Sequence, residues 1–246
     1  MCQRILMGLL FWSRLSLAAN ELPPHDNVRL HYELLNSKGQ VIGSSLKSYQ
    51  KLAEAPQPLY ESRNSLHLKT TIFGFALNID ESDRMQHDGQ NILKIEADGV
   101  YKIPLRSQKR IRWQGERKDK SFVVSKTEAD DEPQTQSFPH DTFQTFARYL
   151  YDLKPAVLGA ASKGELALID LNEMKVVTTP FWQAGAKDFT IQSQTYPAAA
   201  FGFEGKRGKL TVYALSNGWV AATESEYVSS RLVSWELLPP LAPSAP

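Results

Sequence analysis

The sequence predicts a mainly β protein: a large curved antiparallel sheet, half-barrel or barrel-like, with one amphipathic helix. Three observations predict it. About a dozen short segments rich in β-branched and aromatic residues are separated by turn residues. Only one stretch carries a helical period, and nothing repeats the strand-helix-strand pattern of a parallel sheet. A sheet this wide must curl or split, and curling around an amphipathic helix leaves an apolar concavity beside that helix.

Taken in order, Val28 to Leu35 and Val41 to Tyr49 flank Ser37-Lys38-Gly39-Gln40, the signature of a hairpin with a short glycine-containing turn. Lys51 to Ser62 holds two prolines and no clear period, and reads as a loop or a strand crossing. From Ser65 one long strand is expected, bent near Gly74 and ending at the Asp88-Gly89 turn. Strands follow at Ile92 to Ala97, Gly99 to Ser107, Lys109 to Gln114 and Ser121 to Lys126, with Asp98-Gly99 as a tight turn. The acidic run Glu128 to Glu132, continuing to Gln136, reads as a solvated connector. After it Asp141 is an expected N-cap, and Phe143, Phe146, Ala147, Leu150 and Leu153 lay one apolar stripe along a helix from Thr142 to Leu153. Pro155 stops it. Strands then resume at Glu165 to Leu171, Lys175 to Thr179, Phe189 to Gln194, Ala198 to Glu204, Lys209 to Leu215, Trp219 to Glu224 and Val228 to Trp235. The domain is expected to span residues 20–238, and the proline-rich tail 239–246 to be disordered.

The first residues point to export. Arg4 precedes the apolar run Ile5 to Trp12, too short to span a bilayer, and small residues follow, so residues 1–19 read as a signal peptide cleaved after Ala18 or Ala19. The protein is therefore expected in the periplasm or outside the cell, with no transmembrane segment after cleavage. Cys2, the only cysteine, would leave with the leader, which excludes disulfides, thiol catalysis and cysteine-held zinc in the mature chain. Loss of Arg4 and Arg14 takes the 28 basic residues to 26 against 27 acidic ones. That balance argues against a nucleic-acid partner.

A survey of reactive groups is mostly negative. His25, His31, His67, His87 and His140 are far apart in the chain, with no second ligand at a chelating spacing, so no metal is expected, nor any other cofactor. Strand pairing could bring only His31 and His67 together. The Asp80-Glu81-Ser82-Asp83 run lacks the glycine and terminal glutamate of a calcium loop, and no nucleophile elbow or phosphate loop is present. Two candidate surfaces remain. Tyr101, Trp113, Phe181, Trp182, Phe201 and Trp219 are candidates to line a pocket for an apolar small molecule or lipid. Arg106, Lys109, Arg110 and Arg112 are candidates for an anionic partner, Arg110 and Arg112 sharing one strand face while Ile111 and Trp113 occupy the other.

The early Asn36-x-x-Gly39-x-x-Ile42-Gly43 hairpin, the Ile72-Phe73-Gly74 bend and the mid-chain Phe138-Pro139 resemble bacterial exported families of unknown function, especially domain of unknown function 3108 and its relatives. The resemblance covers most of the mature chain. It implies a curved β architecture in the bacterial envelope and supplies no catalytic residues. The connector at Glu128 to Gln136 and the basic hairpin have no counterpart in that pattern. Periplasmic lipoprotein carriers, which wrap a curved sheet around helices, are an architectural analogy.

The sequence thus points to a non-enzymatic envelope protein that binds or carries an apolar or envelope-derived ligand. The alternative is a structural or assembly protein that contacts an envelope protein or an anionic glycan. A hydrolase using strand carboxylates such as Asp80 or Asp170 ranks third.

Overall fold

A computed structural model describes residues 22–24, 26–53, 57–72, 75–89, 91–102, 108–129, 131–147, 162–205 and 208–241. Fifteen strands make up a single sheet: β1 Val28–Leu35, β2 Val41–Lys51, β3 Tyr60–Ile72, β4 Phe75–His87, β5 Ile92–Lys102, β6 Lys109–Lys118, β7 Ser121–Glu128, β8 Gln134–Pro139, β9 Thr145–Phe146, β10 Lys163–Asp170, β11 Lys175–Ile191, β12 Gln194–Gly205, β13 Gly208–Leu215, β14 Val220–Ser225 and β15 Ser229–Leu237. The spatial order runs from β8 back to β1, then from β15 back to β9. Two meanders are therefore joined where the first strand pairs with the last, from Val28 opposite Leu237 to Leu35 opposite Ser229. Among the named strands every pairing is antiparallel except that of the two-residue β9 with β10.

Period-two burial follows from this pairing. Val28, Leu30, Tyr32 and Leu34 face inward on β1, and Ile95 and Ala97, Ile111 and Trp113, and Phe122 and Val124 do so on β5, β6 and β7. In the second half burial becomes continuous, over Ala200–Phe203 and Val220–Thr223, because both sheet faces are covered there.

The sheet edges β8 and β9 are consecutive in the chain, with a 3-10 turn at His140–Thr142 between them. They do not pair with each other. Instead Phe146 of β9, fully buried, lies edge-on to Phe122 of β7 with ring centroids 5.2 Å apart. The turn after β10 reaches the same wall: Trp113 Nε1 donates to the Leu171 carbonyl at 3.0 Å, and Lys126 Nζ to the Asn172 carbonyl at 3.0 Å. One edge is thus tucked against the inner face of the other, and among the described residues side chains, not a backbone ladder, join the two edges.

The architecture is the expected one, with differences in its elements. No α-helix occurs among the described residues. The helix expected over Thr142–Leu153 is not α-helical where it is described: Thr142 ends a 3-10 turn, Phe143 is extended and Thr145–Phe146 is strand β9, while residues 148–153 lie outside the description. Tertiary pairing overrides the local period here: Gln144 N donates to the Ala167 carbonyl at 2.8 Å, and its side-chain oxygen accepts from Ala167 N at 2.5 Å. Asp141 is not an N-cap but lies within the 3-10 turn. The single bent strand expected around Gly74 is two antiparallel strands, β3 and β4, whose register places Ile72 opposite Phe75. Asp98-Gly99 is no turn, since both residues lie inside β5, and part of the acidic connector is strand β8. Residues 175–191, expected as two strands, are one. Pro239–Leu241 is tied back to β2: Leu241 N donates to the Lys51 carbonyl at 3.2 Å and Ala53 N to the Leu241 carbonyl at 3.0 Å. The leader at residues 1–19 and positions 242–246 of the tail lie outside the described residues.

Candidate functional site: the lumen of the rolled sheet

The roll encloses a cavity of about 1070 Å³. Its register explains its chemistry. On the β2–β6 wall the inward positions form cross-strand rows, one of them Leu68, Ile79, Tyr101 and Lys109. Leu66, Glu81 and Ile111 form the next row, and Lys47, Asn64, Asp83 and Trp113 the one after it. Across the lumen stand Val177, Phe203, Leu210 and Val220. The far end is filled by an aromatic floor, Trp219 against Trp235 at 5.4 Å and Tyr196 against Trp235 at 5.8 Å.

Polar groups in this wall are placed in a chain. Ser45 Oγ donates to Asn64 Oδ1 at 2.8 Å, and Asn64 Nδ2 donates to Asp83 Oδ2 at 3.0 Å. Tyr101 Oη donates to Glu81 Oε1 at 2.5 Å. Lys47 lies over the Tyr32 ring, 5.7 Å from its centroid. Near β7, Lys109 and Lys126 both contact Glu128, at 2.7 and 2.5 Å. These two hydrogen-bonding ammonium groups outweigh burial and hold the Glu128 carboxyl below the usual range. The lumen is therefore amphipathic: apolar side chains on both walls are interspersed with polar and charged ones, which across the lumen include Asp170, Lys175, Lys209 and Thr223.

The six aromatic candidates divide. Tyr101 and Trp113 line the lumen. Phe181 and Phe201 do not line the lumen but are buried in the apolar cluster of the opposite wall, together with the lumen-lining Phe203. Trp182 lies over Gly202, where a Cβ would meet its ring at 2.3 Å, and Trp219 belongs to the floor. The basic candidates divide as well. Lys109 points into the lumen, whereas Arg110 and Arg112 are on the outer face, because adjacent strand residues point to opposite sides. Both arginines hydrogen-bond Asp98, Arg110 at 2.7 Å and Arg112 at 3.1 Å. Arg106 lies outside the described residues.

His31 and His67 are not brought together. His31 lies 3.8 Å from Glu236, while His67 pairs with Asp80 on the outer face. Among the described residues no three His, Cys, Asp or Glu side chains form a group that could hold a metal ion. Sequence reasoning missed Ser45, Lys47, Asn64 and Asp83. Their signal was legible: Asn64 and Asp83 fall in phase with Leu66, Leu68, Ile79 and Met85, the apolar face of their own strands.

No family model matches the chain, and no curated protein matches it. Among solved structures the chain is similar to the crystal structure of a β-barrel-like protein of domain of unknown function DUF1849 from Brucella abortus, with a TM-score of 0.58 over 86% of this chain and 98% of that one. At 11% identity the likeness is one of fold alone. The neighbour found is thus a member of family 1849 and not of family 3108. The chain has the fold of a β-barrel-like protein of uncharacterised function.

Proposed function

We propose that the protein is a non-enzymatic binding or carrier protein that holds an amphipathic ligand with one long apolar portion in the lumen. One observation carries this reading: a cavity of about 1070 Å³ whose lining combines apolar side chains of both walls with hydrogen-bonding and charged ones. That volume is at the upper end for small-molecule sites. Leu66, Leu68, Ile79 and Val220 would take the apolar portion, and the Ser45–Asn64–Asp83 chain a polar group. The same reading holds that residues 1–19 are a cleaved leader, that the protein works in the bacterial envelope, and that it is kin to domain of unknown function 3108. The hairpin and bend motifs support that kinship.

The test is native mass spectrometry of the full chain expressed in a bacterium, followed by titration with a fluorescent fatty-acyl probe. A co-purifying apolar molecule, or probe binding lost in Leu66→Trp/Ile79→Trp, is the expected result. Absence of both a co-purified molecule and probe binding would overturn the reading.

A further inference from the structure

A second concave surface lies on the outer face, opposite the lumen, where the saddle of the sheet leaves a groove of about 810 Å³ crossing β1 to β6. Two cross-strand rows line it. One runs Arg29, Ser48, Arg63, Arg84, Glu96 and Gln114; the other runs Leu46, Ser65, Ser82, Asp98 and Arg112. Six strands at about 4.8 Å spacing make this groove about 24 Å long, the length of an extended chain of several units.

The ion pairs in the groove are unequal. Glu61, only 1% exposed, is shared by Arg63 Nε at 2.6 Å and Arg84 Nη2 at 2.6 Å. Asp98 is likewise shared by Arg110 and Arg112. Glu96 contacts Lys94 at 2.7 Å and Arg84 at 4.0 Å. Arg63, Arg84 and Arg112 of the lining, with Lys94 and Arg110 at its border, therefore face three carboxylates, Glu96 and Asp98 in the groove and Glu61 beside it, while Arg29 is matched by Glu236 at 2.6 Å. Each shared carboxylate fixes two guanidinium planes and neutralises one. The other side of each fork remains half exposed, with Arg63 at 55% and Arg112 at 58%. Between these guanidiniums stand the exposed Ser65 and Ser82 hydroxyls.

We infer that this groove is a binding site for a linear acidic polysaccharide. The guanidiniums meet its carboxylates, and the serine hydroxyls and the Gln114 amide meet its ring hydroxyls. Charge complementarity selects an anionic chain. The interleaved hydroxyl and amide groups select a polyhydroxylated one, and the near-neutral balance of the whole protein separates the site from a nucleic-acid surface. This site does not depend on the lumen.

The experiment measures retention of the full chain on immobilised alginate, a linear polyuronate, against neutral dextran and duplex DNA. The variants are Arg63→Ser/Arg112→Ser, which leaves Glu61 and Asp98 one guanidinium each, and Ser65→Glu, which disturbs no ion pair. Expected are salt-sensitive binding to alginate, little to dextran or DNA, and a loss of about tenfold or more in either variant. Leu66→Trp, which fills the lumen, should bind alginate as the unaltered protein does. Equal retention on dextran or DNA would overturn the inference. So would undiminished alginate binding in the folded Ser65→Glu protein, verified by circular dichroism.

Discussion

Glu61 combines near-complete burial with three donors: Arg63, Arg84 and Gln86 all hydrogen-bond its carboxylate, at 2.6, 2.7 and 3.2 Å. Burial pushes its pKa up, but the hydrogen bonds from Arg84, Arg63 and Gln86 outweigh it and hold the carboxyl below its ordinary 4.5. A carboxyl lowered in this way contributes stability above its unfolded pKa and loses it as pH falls through the folded one. Chemical denaturation should therefore show stability constant from pH 7 to about 5 and falling below about 4.5. In Glu61→Gln we expect a loss of about 2 kcal/mol at pH 7 and a shallower acid decline, since two half-exposed guanidiniums lose their anion. Tyr213 behaves oppositely. Burial, with Glu224 accepting its hydroxyl hydrogen bond at 2.8 Å, pushes its pKa up to about 12. Its contribution is complete below pH 10 and is lost toward pH 12, so an ultraviolet titration should show a tyrosine step near pH 12 that is missing in Tyr213→Phe. Neither environment is visible in the sequence, because Glu61 meets Arg84, and Tyr213 meets Glu224, only across strands.

At the scale of elements, the tucked edge is the part whose energetics can be tested most directly. Phe146 and Ile169 are fully buried against the β5–β8 wall, so Phe146→Ala should cost about 3–4 kcal/mol in equilibrium unfolding. Trp113→Phe keeps most of the ring but removes the donor to Leu171, and should cost about 1 kcal/mol. A Phe146→Ala loss below 1 kcal/mol would mean that the edge is not held there. The legible elements were those with local turn chemistry. Gly39, at φ 75°, and Asn36, whose side-chain oxygen accepts from Lys38 N and Gln40 N at 3.0 Å, specify the β1–β2 turn within five residues. The β11–β12 turn was harder to read, since Gln192 and Ser193 adopt positive φ of 49° and 68° without the usual Asn-Gly pair. The expected helix failed for a related reason: Phe143 and Phe146 satisfy a helical period, yet both pack on Phe122 from an extended chain.

At the scale of the molecule, the first and last strands are sheet neighbours, so the roll cannot be completed until the chain ends meet. All-β topologies with such non-local pairing refold in milliseconds to seconds, and stopped-flow refolding should fall in that range. A ligand that occupies the lumen stabilises only the rolled state. At one hundred times its Kd it should add about 2.7 kcal/mol, and the gain should vanish in Leu66→Trp/Ile79→Trp. An equal gain in that variant would place the ligand elsewhere, with the outer groove the first surface to examine.

What the sequence determined by itself was the class: alternation and turn residues are local, so a mainly β, curved antiparallel sheet could be read from them, as could the opposite facing of Arg110 and Arg112 against Ile111 and Trp113. It also carried, unread, the polar residues in phase with the apolar face of β3 and β4. Only the tertiary structure decided how the sheet closes, which aromatics line a cavity and which fill the floor, and which carboxylate each arginine meets. Those outcomes depend on register between strands far apart in the chain. A shift of one residue exchanges the lumen face for the outer face, and the local pattern does not contain that choice.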